Sequence, residues 1–557
     1  MNNDALSSVP VKARDVVKSV LPMAAYRKIR VVGLNAQRRL TRARQRALLE
    51  LARDDRGQYS CEVVKSQGLF WKLGGQHTPM ERAKSNFQLV TAALASAGIE
   101  WWFVGLNNYQ SATIAVRSVN RDLVRSTLAQ LDSGEPLYAR SRTSGTVLPI
   151  QSLSNDKIWK AEDVFAVFTP QRFENSTLSY GAERACVVEF WEFGQAEHPD
   201  QVIAPRENRA ARLLSTSDVE LVEVDTVLGR VLTPKVLTER MVDDISFPID
   251  AVYTWVDGDD PLWINSKRRR EAELKGVEYH EESNHEARFR SRDELKYSLR
   301  SLQMFAPWFR KIFIVTAGQV PSWLDTSDPR IEVIDHNDIY PQGEYLPTFN
   351  SNSIISRLHH IPGLSEHYVY INDDVFFGRD LGPERFFTPT GIAKVSPSNN
   401  RRPFGEATLL DEPHLNLTRN IRRLLKERFG VTVSRAIKHT PHPQLKSVHF
   451  EMETEFSQEY ERTWASPFRD HRDIVADQLH HYYAQITGRA IPTRLRYHYI
   501  NILDDHYRLV MENTLRLRDR DTFCINDAPV EGATPINDSF INEFLESYFP
   551  IKSDFEK

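Results

Sequence analysis

Five short clusters in this 557-residue chain carry side chains that can act on a charged substrate. Asn372-Asp373-Asp374 follows a short apolar run. Its carboxylates are hard oxygen ligands, suited to Mg2+ or Mn2+ that keeps several waters and a substrate phosphate. Asp257-Gly258-Asp259-Asp260-Pro261 follows a second apolar run, and Asn526-Asp527 ends a third. Asn, Asp and Gly also favour turns in their own right, and Asp260-Pro261 can simply open a helix. Recurrence of the same chemistry at the ends of apolar runs favours a site. His439-Thr440-Pro441-His442 puts two imidazoles on a rigid segment. Histidine is the side chain best matched to proton transfer near neutral pH, so one ring could take the proton of an attacking hydroxyl. A structural histidine or a zinc pair would use the same residues. No further Cys or His recurs at a spacing that completes a zinc site. Arg469 and Arg472 flank the start of an expected helix, where guanidinium forks and free N–H groups bind phosphate oxygens. Pairing with Asp470 or Asp473 is the competing explanation.

These clusters need elements to bring them together. Ile249–Val256, Lys311–Thr316, Ile331–Ile334 and His367–Ile371 read as strands, with helical stretches between them. Ser291-Arg292-Asp293-Glu294 has the form of a capping box. It precedes an apolar stripe of Leu295, Leu299, Leu302 and Phe305. Strands alternating with helices imply an α/β fold with a mostly parallel sheet. Such sheets bind ligands beyond the carboxyl ends of their strands. Three of the four strands end in acidic clusters, at Asp257, at Asp335-His336-Asn337-Asp338 and at Asn372-Asp373-Asp374. The three are expected on one edge. His480 and His481 lie in a tyrosine-rich helical stretch and read as packing residues.

The length exceeds one domain. Residues 1–55 read as a basic helical segment, in which Lys12, Arg14, Lys18, Arg27, Lys28 and Arg30 alternate with valines. Such a helix lies on an anionic membrane surface or docks on its own protein. Residues 56–240 read as an α+β accessory domain without a chemical motif. Residues 247–530 form the candidate catalytic domain, and 531–557 a C-terminal tail. A formal net charge of −4 gives no general drive toward nucleic acid. Three cysteines without a CxxC pair suit a reducing, cytoplasmic setting. No apolar run is long enough to span a bilayer, and the N-terminus lacks a signal-peptide pattern.

Taken in order, the words resemble the Stealth family. Ile249 through Gly258 is similar to its first conserved region. Arg292 through Arg300, Ala306-Pro307-Trp308, Gly318 through Leu324, Leu346 through Phe349 and Tyr370 through Gly378 are similar to the second. His439–His442 with Phe468 through Tyr483 resembles the third, and Phe523–Asp527 the fourth. The resemblance implies a GT-A-like (Rossmann-type) catalytic domain, a UDP-sugar donor and a divalent metal, Mg2+ or Mn2+. It implies an exopolysaccharide or capsule phosphotransferase that moves hexose-1-phosphate onto a glycan or lipid-linked glycan hydroxyl and releases UMP. It places Asp374, His439 and Arg469 as catalytic residues, and Asp374, Asn526 and Asp527 at the metal. Asp257, Gly258, Arg292, Asn372, Asp373 and His442 are then the expected substrate contacts. A metal-dependent glycosyltransferase would use the same strand-end carboxylates but release UDP. The segment between Asp374 and His439 lacks the large inserts of the family's animal member, and residues 1–240 have no counterpart in the resemblance.

Overall fold

Residues 111–116 and 186–191 are buried at every position, as strands covered on both faces are, and the chain forms its first sheet there. The computed structural model describes residues 59–107, 110–195, 198–274, 291–341, 344–408, 411, 413–528 and 536–557. The basic segment 1–55 lies outside the described residues. The chain divides into two compact units, Met1–Glu174 with Ser179–Glu239, and Asn175–Leu178 with Arg240–Lys557.

In the first unit, helix α1 (Pro79–Ser96) starts from Thr78, whose hydroxyl accepts from Glu81 N while Glu81 accepts from Thr78 N. Strands β1 (Trp102–Asn107), β2 (Ser111–Arg117), β3 (Tyr138–Ser141), β4 (Val164–Phe168) and β5 (Cys186–Gln195) belong to one mixed sheet. The long β5 pairs parallel with β2 and antiparallel with β4. Phe87, Val90 and Leu94 of α1 pack on Ile114, Phe165 and Val188 of that sheet.

The second unit is built on a five-stranded sheet. Strand β6 (Ile249–Thr254) lies at its centre, between β7 (Ile312–Thr316) and β9 (His367–Asn372). Strand β8 (Ile331–Asp335) flanks β7, and β10 (His442–Leu445) flanks β9. The first four strands run parallel, in the register Thr254 opposite Asn372 and Thr316 opposite Asp335. Every residue of β7 is buried, as expected of a strand covered on both faces. The edge strand β10 runs antiparallel, with His442 opposite Tyr370 and Leu445 opposite His367.

Around this sheet lie α2 (Pro261–Glu273), α3 (Glu294–Phe305), α4 (Lys446–Glu455), α5 (Ala476–Ile486) and α6 (Asp538–Tyr548). A three-stranded sheet joins β11 (Val375–Phe377), β12 (Tyr497–Asn501) and β13 (Thr522–Asn526). Among the described residues, no helix is long and apolar enough to cross a membrane.

Three expectations change here. Helix α3 does begin at Glu294, but no capping box forms. Asp293 sits in the left-handed region at φ 63° without a side-chain cap, and Ser291 accepts from Asp293 N instead. Arg469 does not flank a helix start, because α5 begins only at Ala476. The expected tail packs into the unit, with Phe549, Ile551 and Phe555 buried.

Candidate active site

Strand direction decides which side chains meet. Strand β9 runs out at Asn372, so Asp373 and Asp374 project beyond the carboxyl edge of the sheet. Because β10 is antiparallel, the residues just before its start, Lys438 to Pro441, lie at that same edge. His439 therefore meets Asp374 across 65 residues of sequence. Its Nε2 lies 2.9 Å from Oδ1 and 3.2 Å from Oδ2. Carboxylate oxygens accept, so His439 donates Nε2–H and its lone pair is left on Nδ1. Asn372 Nδ2 stands 3.5 Å from the same ring nitrogen.

The small sheet delivers the third partner. β11 pairs antiparallel with β13, placing Val375 opposite Cys524, and Ile525 N donates to the Asp374 carbonyl at 3.1 Å. Asn526 is thereby brought to Asp374, and its Nδ2 donates to Oδ2 at 3.1 Å. The Tyr499 hydroxyl donates to Asn526 Oδ1 at 2.8 Å, which fixes the orientation of the amide. Arg292 closes the other side, with Nη1 3.6 Å from Asp527 and 3.5 Å from Glu294, and Nε bonded to Asp538 at 2.8 Å.

The electrostatics of this corner are those of carboxyls short of positive charge. Burial, then Asp374 and Glu294, pushes the Asp373 carboxyl well above its ordinary range. Burial also raises Glu294 and Asp527, and Asp374 adds to both shifts. Asp527 Oδ2 is buried without a hydrogen-bond partner. A buried carboxylate oxygen with only Arg292 Nη1 at 3.6 Å, beside mutually repelling acids, is what a hard divalent cation would satisfy, so these residues fit Mg2+ or Mn2+. His439 shifts the opposite way from a merely buried histidine. Burial lowers its pKa, but the charge and hydrogen bond of Asp374 outweigh that and raise it.

The other expected residues divide. Arg469 donates through Nε to Ser351 Oγ at 3.1 Å, and burial pulls its pKa below the ordinary range. Tyr370 acts on its charge, and the same Tyr370 hydroxyl feels Asp373 and Asp374. Arg472 pairs with Asp470 at 2.8 Å, the competing explanation given above. Asp257 is held by Gln319, which accepts from its N–H at 3.0 Å and donates to its carbonyl at 3.0 Å. Gly258 stands half-buried beside it. Asp260 caps α2 by accepting from Leu262 N at 2.9 Å. Asp335 and Asp338 close a capped turn, so the acidic cluster after β8 is turn chemistry. His442 is a correction to the expected substrate contact. It is buried, donates Nε2–H to the Lys438 carbonyl at 2.8 Å and holds Asp477 through Nδ1 at 2.6 Å. It braces the backbone that carries His439. Glu294, Gln319, Tyr499 and Asp477 escaped the sequence reading. Glu294 alone gave a signal there, as an acid opening a helix.

Models of four conserved regions match in order. These are Stealth protein conserved region 1 over residues 247–275, region 2 over 288–395, region 3 over 438–485 and region 4 over 513–557. The exopolysaccharide phosphotransferase SCO2594 of Streptomyces coelicolor is 37% identical over 520 residues, covering 86% of this chain and 85% of that one. The chain belongs to the Stealth family. A second Stealth relative, exopolysaccharide phosphotransferase SCO2592 of the same organism, is 39% identical over 505 residues. That alignment takes in 89% of this chain but 53% of the relative, so the chain spans about half of that protein's length. Exopolysaccharide phosphotransferase CpsY of Mycobacterium leprae is 33% identical over 500 residues, 89% of this chain and 90% of that one. A looser likeness is to the solved galactosyltransferase LgtC, at 11% identity over 54% of this chain and 95% of that chain, with a TM-score of 0.27. Most side chains of the Asp374 corner fall inside a Stealth region: Arg292, Glu294 and Asp374 in the second, His439 in the third, Asn526 and Asp527 in the fourth, with Tyr499 between the third and fourth; Arg469, bonded to Ser351, also lies in the third. The β1–β5 unit lies outside all four.

Proposed function

We propose that this Stealth chain transfers hexose-1-phosphate from a UDP-sugar to a hydroxyl of a glycan or lipid-linked glycan, releasing UMP. The observation that carries the reading is the Asp374–His439–Asn526 contact at the carboxyl edge of the sheet. The acceptor oxygen forms a bond to the β-phosphorus of the donor. The bond from that phosphorus to the oxygen bridging it to the α-phosphorus breaks, and UMP departs with the electron pair. His439 takes the hydroxyl proton at Nδ1, while Asp374 holds Nε2–H and supports the imidazolium that forms. Arg469 faces the equatorial phosphoryl oxygens, and Arg292 keeps Asp527 in place. Asp374 and Asp527 would hold Mg2+ or Mn2+, which supplies charge neutralisation for the diphosphate, while Asn526, whose amide nitrogen faces Asp374 and whose oxygen is taken by Tyr499, steadies the Asp374 carboxylate rather than ligating the ion. In phosphoryl transfer, positioning and charge neutralisation provide most of the acceleration.

Asp257, Gly258, Asn372 and Asp373 line the same edge and suit contacts to nucleotide and sugar. The free cysteines Cys61, Cys186 and Cys524 suit a cytoplasmic setting, at the inner face of the membrane where such acceptors are built. The test is the released nucleotide. Incubation with a panel of UDP-sugars and an acceptor glycan is expected to release UMP. Release of UDP instead would make the chain a glycosyltransferase and remove the phosphorus attack.

A further inference from the structure

Away from the Asp374 corner, two imidazoles and a carboxylate converge on one point. His359 and His360 are consecutive on the short turn Leu358–His360 that precedes β9, and Glu453 lies on α4. Glu453 Oε2 is 2.6 Å from His359 Nε2 and 2.8 Å from His360 Nε2. The donor atoms of the three side chains all lie within 4.8 Å of one another. We propose that His359, His360 and Glu453 form a binding site for a divalent transition-metal ion, zinc above all.

The donor set decides the class of ion. Two imidazole nitrogens and one carboxylate oxygen match zinc sites that keep a fourth position for water. Mg2+ and Ca2+ prefer all-oxygen surroundings and are disfavoured here. The helix supplies the geometry. His449 and Glu453 are four residues apart and so share one face of α4. His449 stacks on the His359 ring at 5.4 Å between centroids, while Glu453 reaches its donor nitrogen. Arg357 Nη1 stands 3.4 Å from the other Glu453 oxygen, Oε1, which leaves Oε2 to the two rings.

His359 Nδ1 is buried without a hydrogen-bond partner, so no contact there locks the ring as the Nε2–H tautomer. Binding would move each ring proton from Nε2 to Nδ1 and turn both Nε2 lone pairs to the ion. Metal bonds of roughly 2.0–2.2 Å require the donors to separate by about half an ångström. His360 and Glu453 are 25% and 22% exposed and have room to give that. Among the described residues, no hydrogen bond or ion pair joins this cluster to Asp374, His439 or Asn526. The competing explanation is a cluster held by protons alone, with both rings donating to one oxygen.

The full chain, stripped with chelator, is titrated with zinc chloride by calorimetry and followed by thermal denaturation. Wild type is expected to bind zinc at micromolar affinity or tighter and to melt at higher temperature with zinc than with magnesium. His360→Ala and the isosteric Glu453→Gln are expected to weaken the binding by at least about tenfold. Asp374→Asn, which disables the other acidic corner, is expected to keep it. Absence of a zinc-dependent heat and melting shift in wild type overturns the proposal. So does zinc affinity unchanged in Glu453→Gln, or zinc binding lost in Asp374→Asn and retained in Glu453→Gln.

Discussion

His439 owes its strength as a base to Asp374. Burial alone would leave the ring a poor proton acceptor, yet the carboxylate at 2.9 Å raises its pKa above the ordinary 6.5. A base works in its neutral form. The proposed reaction therefore has kcat/KM rising with pH through this pKa and level above it, with the acidic limb centred above 6.5. A limb centred at or below 6.5 would show that another group accepts the proton. His439→Ala is expected to lower kcat by about 10²–10⁴. The melting temperature should change little, because the imidazole is 30% exposed and its loss opens no sealed cavity. Activity close to wild type at saturating substrate would take His439 out of the role. His442, three residues on, predicts a different outcome. Losing a brace between Asp477 and the Lys438 carbonyl should lower stability and kcat together.

At the scale of elements, the site depends on how closely α3 and β13 approach β11. The α3 hydroxyls make this possible: Ser298 donates to the Val375 carbonyl at 2.6 Å, and Ser301 accepts from Phe377 N at 3.0 Å. Just past β11, Gly378 N donates to the Asp521 carbonyl at 2.9 Å. A Cβ on Gly378 would lie 2.6 Å from the Arg520 carbonyl oxygen, a backbone atom that cannot swing away. Gly378→Ala is therefore expected to destabilise by roughly 1–3 kcal/mol. It should also lower kcat, because β11 and β13 carry Asp374 and Asn526. Equal denaturation midpoints for the two proteins would refute this packing argument. The same elements explain what the sequence made legible. Asp374 and Asn526 end short apolar runs, and His439 sits in a histidine–proline word, so local pattern sufficed. Glu294, Gln319 and Tyr499 could not be read that way. Gln319 and Tyr499 have partners 62 and 27 residues away, Tyr499 alternates with ordinary strand residues, and Glu294 read only as an acid opening a helix. The capping box failed because Asp293 took the left-handed region, a backbone choice that residue spacing does not reveal. His359, His360 and Glu453 went unread because 93 residues separate the second histidine from the carboxylate.

At the scale of the whole chain, the last residues are part of the catalytic unit. Phe549 and Phe555 are buried, and the backbone of 555–557 bonds to the segment after β7, as in Asp325 N to the Phe555 carbonyl at 2.8 Å. Glu556 grips Arg300 of α3 through two bonds of 2.8 Å, both side chains being almost fully buried. A bidentate, buried guanidinium–carboxylate pair is costly to desolvate, and breaking it on one side costs much because the remaining charge stays buried. Glu556→Ala would leave Arg300 with Glu546, which is half exposed, and the Phe549 carbonyl. The expected loss is about 3–5 kcal/mol, read as a shift in the denaturant midpoint. Because α3 also carries Ser298 against the Val375 carbonyl, the loosening should reach the strand-end corner and lower kcat even where the protein remains folded. A change in stability within about 0.5 kcal/mol would instead assign the C-terminal residues to the surface.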